Sequence, residues 1–468
     1  MEPSGSTIPT EFPVSAATPP TPWGPATRLG FRIAFLYFFC FCFLNGNGTL
    51  FGAFPVVGGW IEDKLNWPFN HLSEFVGQHL FHLTGIAAHW HATDSGDTTM
   101  NWIQNGLFGI FALAGGIVWT VGANIRNNRR TQYRTLHAWL RFILRLTCGM
   151  FMVTYGLAKV FPFQMPPPSI AILTEPAGNM APMTFLWNLI GLNPVYEIIC
   201  GSAEVLGGML LLYRRTSLAG ALFSAFVVTN VVLYNFCYDV PVKLFAVNLL
   251  LGCVFLALPD ALSLFRFFWS HKPAAPYAAW VPPASRRAGR IAILVAEIVF
   301  AAAFLVVQPI FMTIGWRRLQ VALRTPSPLV GAWHLDATHP ASGAFIDPEG
   351  VPITDLYVAP SSRAYTRSTD GQLWLSGVNL DPKKHTVRIN CYFISDPTNY
   401  AWQLSDPNHL VLTTVPPDPP KPDPKQQPDK PAAPFTPAVL TLTRTPTPDH
   451  YPLLERGFHF ISEWRYER

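Results

Sequence analysis

Charge is what this sequence has least of: 13% of its 468 residues are Asp, Glu, Lys or Arg, against about a quarter in ordinary soluble proteins. The shortage is uneven. Residues 30–315 are poor in charge and rich in Phe, Leu, Val, Ala and Gly, whereas 320–468 read as a soluble sequence. The formal net charge of +5 comes from Lys and Arg gathered in short loops between apolar runs, which argues against nucleic-acid binding. No Cys-x-x-Cys pair occurs among the seven cysteines, and Cys391 stands alone in the C-terminal part. Small apolar packing residues are therefore the favoured reading over redox or metal roles. Residues 1–28, rich in Pro, Ser and Thr, lack a small-residue cleavage site, so a disordered tail is expected and the first apolar helix serves as an uncleaved anchor. No haem, flavin or iron–sulfur motif is present, and no cofactor is encoded by a recognisable motif.

What is present is a set of long apolar runs. A spanning helix needs about 20 mostly apolar residues, and such runs lie near 31–52, 102–124, 137–161, 194–213, 216–236, 241–260 and 289–315. The expected fold is thus an α-helical membrane bundle of about seven spans with a C-terminal all-β barrel or sandwich. Arg126, Arg129, Arg130 and Arg134 follow the second span, Arg214 and Arg215 the fourth, and Arg266, Lys272, Arg286, Arg287 and Arg290 the sixth. The opposite loops are nearly free of positive charge. The excess of Lys and Arg marks the cytoplasmic side, placing the N-terminus inside and the C-terminal domain outside.

Ionisable groups within a bilayer cost a few kcal/mol each and are functional candidates by default. Lys159 lies near the end of the third span, followed by Gln164; Glu204 sits midway along the fourth. Asn230 and Asn235 are in the fifth, while Asp239 and Lys243 begin the sixth. Asp239 reads as a helix N-cap, with Lys243 one turn along to pair with it. Gly207 and Gly208 would let a neighbouring helix approach Glu204 closely. One polar pocket opening outward would satisfy Lys159, Gln164, Glu204, Asn235, Asp239 and Lys243. An ion-pair network that only fixes helix packing is the competing reading. Arg141 and Arg145, on the third span, are expected to snorkel or to find a partner.

The string Tyr155-Gly-x-x-Lys159, the Gly-rich span around Glu204, Leu211-Leu-Tyr-Arg-Arg-Thr-Ser-Leu-Ala-Gly220 and Tyr238-Asp-Val-Pro-Val-Lys243 together resemble the DoxX-like family over about 137–268. That resemblance implies a core of four membrane helices. Some DoxX-type proteins are linked to quinone-dependent oxidation or to oxidative-stress complexes, so the resemblance implies a quinone-like ligand and a redox partner protein. Residues 29–136 then form an N-terminal pair of spans with a His-rich segment between them, and 269–320 carry a linker and the seventh span.

That segment holds His71, His79, His82, His89 and His91. On one continuous helix His71, His82 and His89 would share a face, though two and three turns apart. His79, His82 and His89 are weak metal candidates, since each would need partners from elsewhere. Asp97 or Thr98 is expected to cap the second span.

From 328 to 468 the pattern becomes short alternating segments: 330–336, 353–358, 363–368, 372–377, 385–393, 398–404, 408–414, 438–444 and 456–462. This density predicts an antiparallel barrel or sandwich, interrupted by a Pro-rich insert at 415–436. Gly331-x-Trp333 with Arg456 near the last strand resembles the opening and closing signature of lipocalin-like barrels. There the Trp closes the barrel floor and the Arg packs over it. Two functions follow as expectations. One is a possibly redox-linked protein of the bacterial inner membrane whose outward polar pocket takes a quinone-like or anionic ligand. The other is a non-enzymatic anchor that presents a lipocalin-like domain binding a lipid or a partner outside the cytoplasm.

Overall fold

The computed structural model describes residues 22–45, 48–54, 57–90, 95–126, 132–271, 273, 282–336, 345–347, 349–361, 363–381, 383–391, 398–416, 438–448 and 450–455. In chain order the helices are α1 (Pro25–Leu44), α2 (Gly58–His79), α3 (Thr99–Ile125), α4 (Arg134–Val160), α5 (Ile170–Leu173), α6 (Pro182–Gly191) and α7 (Pro194–Leu212). They continue with α8 (Ser217–Cys237), α9 (Lys243–Ala257), α10 (Ala261–Ser270), α11 (Arg287–Ala302) and α12 (Gln308–Arg324). Seven helical stretches among the described residues are long and apolar enough to cross a membrane, and the protein is a multi-pass membrane protein. The expected spans are all present. The first ends at Leu44, before Asn45, and a short 3-10 turn at Leu50–Ala53 follows it.

The chain divides into two compact units. The first comprises residues 1–148, 213–225 and 241–295. Its polar groups are buried by pairing, as an apolar surrounding requires. Arg32 of α1, absent from the sequence-based candidates, donates to the Tyr133 hydroxyl at 2.6 Å and lies 5.1 Å over that ring. Arg141 does not snorkel. It is fully buried, with Nη2 3.0 Å from the Leu256 carbonyl and 3.6 Å from Asp260 Oδ2. Arg145 is likewise buried, its guanidinium 5.5 Å over Phe142.

Two corrections belong to this unit. Helix α2 ends at His79, and Leu83 turns back to donate to the Gly77 carbonyl at 3.0 Å, with His82 in the left-handed region at φ 53°. His71, His82 and His89 therefore never share a helical face. The second correction is at the start of α9, where Asp97 rather than Asp239 satisfies the free amides: its carboxylate accepts from Lys243 N at 2.6 Å and Leu244 N at 2.9 Å. Asp239 instead takes a left-handed φ of 54° just beyond the end of α8. Thr98 caps α3 in a reciprocal box with Asn101, as expected.

The second unit comprises residues 149–212, 226–240 and 296–468. It contains the β-domain, an antiparallel closed barrel in which every strand pairs with its sequence neighbours. The strands are β1 (Gly331–Leu335), β2 (Ile353–Val358), β3 (Arg363–Ser368), β4 (Leu373–Asp381), β5 (Thr386–Cys391), β6 (Thr398–Asp406), β7 (His409–Thr414) and β8 (Val439–Arg444). The β1–β8 pairing closes the ring. Alternate residues point inward, and Trp333, Leu356, Val378, Tyr400, Leu412 and Leu442 are among those that fill the interior. At one end Trp333 Nε1 donates to the Leu329 carbonyl at 2.8 Å. The cation over Trp333 is Arg444, 4.3 Å from the ring centroid; Arg456 and the ninth expected strand lie outside the described residues. Most of the Pro-rich insert, 417–437, lies outside them too.

Candidate functional site

Helices α4 and α7 cross in antiparallel order with their backbones touching. A Cβ on Gly156 would stand 2.7 Å from the Gly201 carbonyl, one on Gly201 2.5 Å from the Gly156 carbonyl, and one on Gly208 2.8 Å from the Gly149 carbonyl. Only glycine permits such an approach, and small residues at fixed spacing are how helices associate in lipid. This close crossing brings the two expected charges together. Lys159 Nζ lies 2.8 Å from Glu204 Oε2, with both side chains almost fully buried. A buried pair this close neutralises itself, and removing one partner would strand the other charge.

Two turns earlier on the same face of α7 is Glu197, which the sequence reading did not single out. It is 0% exposed. Its Oε1 accepts from the Met165 amide at 3.0 Å, while Oε2 is buried with no hydrogen-bond partner among the described residues. Lys159 and Arg363 are the cations acting on it. Beside Met165, the Gln164 side-chain oxygen is also buried without a partner among the described residues. Glu197 follows Asn193-Pro-Val-Tyr in the first turn of α7, where a carboxylate is electrostatically favoured; that position was the only signal for it in the sequence.

The segment after α4, Pro162-Phe-Gln-Met-Pro-Pro-Pro-Ser169, is held from two sides. Phe163 stacks edge-on with Trp316 of α12 at 5.8 Å, and its carbonyl accepts from Arg363 Nη2 of β3 at 3.1 Å. Farther on, Glu175 Oε2 forms an ion pair with Arg367 Nη2 of β3 at 2.6 Å. The guanidinium of Arg367 is held above its ordinary range: burial opposes its charge, but Tyr357 and Glu175 outweigh that. Between the proline-rich segment, α6, α12 and the β2–β3 turn lies a cavity of about 620 Å3.

The other expected ligand residues are divided between the two units. Asn235, fully buried near the end of α8, and Asp239 belong to the second unit with Lys159, Gln164 and Glu204. Lys243 belongs to the first unit, where its ammonium lies 3.9 Å from Asp97 Oδ2. Among the histidines, His79 Nδ1 is 2.9 Å from the Phe75 carbonyl and His89 Nδ1 is 4.0 Å from Glu74; His91 lies outside the described residues. No group of three or more metal-ligating side chains is gathered among the described residues.

No family model matches the chain, and no solved structure matches it. The chain is similar to a protein of Bacillus subtilis (strain 168) described as uncharacterized protein YwoB: 34% identical over 116 residues, which are 25% of this chain and 73% of that protein.

Proposed function

We propose that this chain, which belongs to the same family as YwoB, is a multi-pass protein of the bacterial cytoplasmic membrane that binds a quinone-like ligand in its reduced form. In this reading the helices over 137–268 are a DoxX-like core, the barrel is lipocalin-like, and the basic loops keep both the site's mouth and the barrel outside the cytoplasm. One observation carries it: Glu197 Oε2 and the Gln164 side-chain oxygen are buried acceptors with no donor among the described residues. Buried acceptors left unmet are costly, and a hydroquinone supplies hydroxyl donors. The Lys159–Glu204 pair then sets the field around Glu197, which takes one hydroxyl proton while the other leaves to water as the bound ring gives up two electrons. The electrons pass to a partner protein's redox centre, since this sequence carries no cofactor motif.

The test is binding of a short-chain ubiquinol to the full-length protein in nanodiscs. Glu197→Gln replaces an acceptor-only carboxylate by an amide. It is expected to weaken quinol binding by about tenfold, in line with the loss of a charge-assisted hydrogen bond, and to leave oxidised quinone binding nearly unchanged. Equal weakening of both forms, or none, sinks the reading. A second reading, a non-enzymatic anchor that presents the barrel, is favoured by the two arginine contacts from β3 to the segment after α4.

A further inference from the structure

The cavity beside the proline-rich segment has a wall chemistry unlike that of the Glu197 seam. Prolines carry no N–H, so Pro162, Pro166, Pro167 and Pro168 present a surface with no backbone donors. Trp187, Trp316, Leu319 and Leu323 continue that apolar lining. Into it comes one full charge, Arg363. Its Nη2 donates to the Phe163 carbonyl, which uses one of the five N–H donors of a guanidinium. Neighbouring Arg367 is neutralised by Glu175, but no carboxylate forms an ion pair with Arg363 among the described residues. Glu197, on which Arg363 acts, spends one oxygen on the Met165 amide.

A cation fixed at the edge of an apolar cavity selects an anion with an apolar tail. We propose that this cavity binds a single-chain fatty carboxylate, its head on the Arg363 fork and its chain along Trp187, Trp316 and Leu319. The guanidinium matches a carboxylate in bidentate geometry, and about 620 Å3 falls within the range of about 300–1,000 Å3 typical of small-molecule pockets. Arg363 also acts on Glu197, but the proposal needs only the cavity and the Arg363 fork and does not require Glu197 to handle a proton.

The experiment titrates full-length protein in nanodiscs with saturated fatty carboxylates of eight to sixteen carbons and with the matching alcohols, following the fluorescence of the cavity tryptophans with brominated chains as quenchers. Affinity is expected to rise about fourfold per methylene and then level off once the cavity is full. Dodecanoate is expected to bind at least tenfold tighter than dodecanol, and Arg363→Met to erase that preference. Because Arg363→Met also removes a tie to Phe163, Leu319→Trp provides a second variant; it is expected to shorten the chain length at which affinity levels off while keeping the head-group preference. Equal binding of acid and alcohol, affinity that climbs with chain length without levelling, or tighter binding of a lysophosphatidic acid than of any carboxylate would each overturn the proposal.

Discussion

Arg444 and Gly331 divide one small space between them. Gly331 has φ 141°, and a Cβ there would stand 2.5 Å from Arg444 Nη1. The guanidinium is held by the carbonyls of Val330, Pro328 and Pro407, so it cannot yield cheaply. Gly331→Ala is therefore expected to cost about 1–3 kcal/mol, read as a lower midpoint when tryptophan fluorescence of the intact protein is followed on heating. Another single residue, Asp347, organises the turn before β2. It accepts from Ser368 Oγ at 2.6 Å, Trp374 Nε1 at 3.1 Å and the amides of Glu349 and Val351. Burial pushes its carboxyl up, but those donors outweigh burial and hold it below the ordinary carboxylate range. A carboxyl depressed on folding stabilises at pH above its unfolded value, and that contribution fades as pH falls through the depressed value. Asp347→Asn is thus expected to lower thermal stability at pH 7 and to narrow the gap to wild type as the pH drops below about 4. The Gly-x-Trp triplet was legible in the sequence, but the Arg444 that lies over its Trp333 was not. Which arginine faces Trp333 depends on strand register, and Trp333 is paired directly with Arg444 across β1 and β8.

Among the elements, apolar run length was enough to find the seven spans, because the thickness of a bilayer dictates helix length, but not their ends: the first stops at Leu44 and the last runs on to Arg324. What run length cannot give is which helices touch. The glycines of α4 and α7 gave a hint at Gly207 and Gly208, yet the reciprocal contact of Gly156 with Gly201 emerges only once the two helices are seen to run antiparallel. Gly201→Ala is expected to force them apart at a cost of about 1–3 kcal/mol. The measurement is the yield of folded protein in mild detergent, with Gly178→Ala as the control, since a Cβ there meets nothing within 4 Å. Helix ends were less legible than helix middles. His79 terminates α2, and α11 passes into α12 through a π turn at Ala303–Val307. That turn lies just before Pro309, which has no N–H to continue an ordinary helical ladder.

For the whole molecule, the apolar-then-alternating pattern was sufficient to foresee a membrane bundle followed by an all-β barrel or sandwich, since the two periodicities bury different faces; the choice of a closed barrel came from the β1–β8 pairing. The candidate site was only half legible. Lys159 and Glu204 were visible as charges out of place, but their direct pairing was not. Lys243 meets Asp97, 146 residues earlier, a contact that the sequence did not suggest. Such pairings are decided by three-dimensional packing, which sequence spacing does not encode. Within the second unit, the Arg367–Glu175 contact fastens β3 to the segment after α4. Glu175→Ala is expected to loosen that attachment, read as faster proteolysis near Thr325–Pro328 with the barrel's own melting unchanged. Unaltered cleavage would mean the ion pair contributes nothing.

Closure of the ring by β8 also has a bearing on biosynthesis. Strand β8 covers β1 on one side and β7 on the other, yet it emerges from the ribosome only after the long proline-rich stretch that follows β7. Until then the nascent domain is a curled sheet with two open edges, each a template for pairing with a foreign strand. A chain interrupted between β7 and β8 would keep both edges bare and be expected to aggregate, although it holds seven of the eight strands.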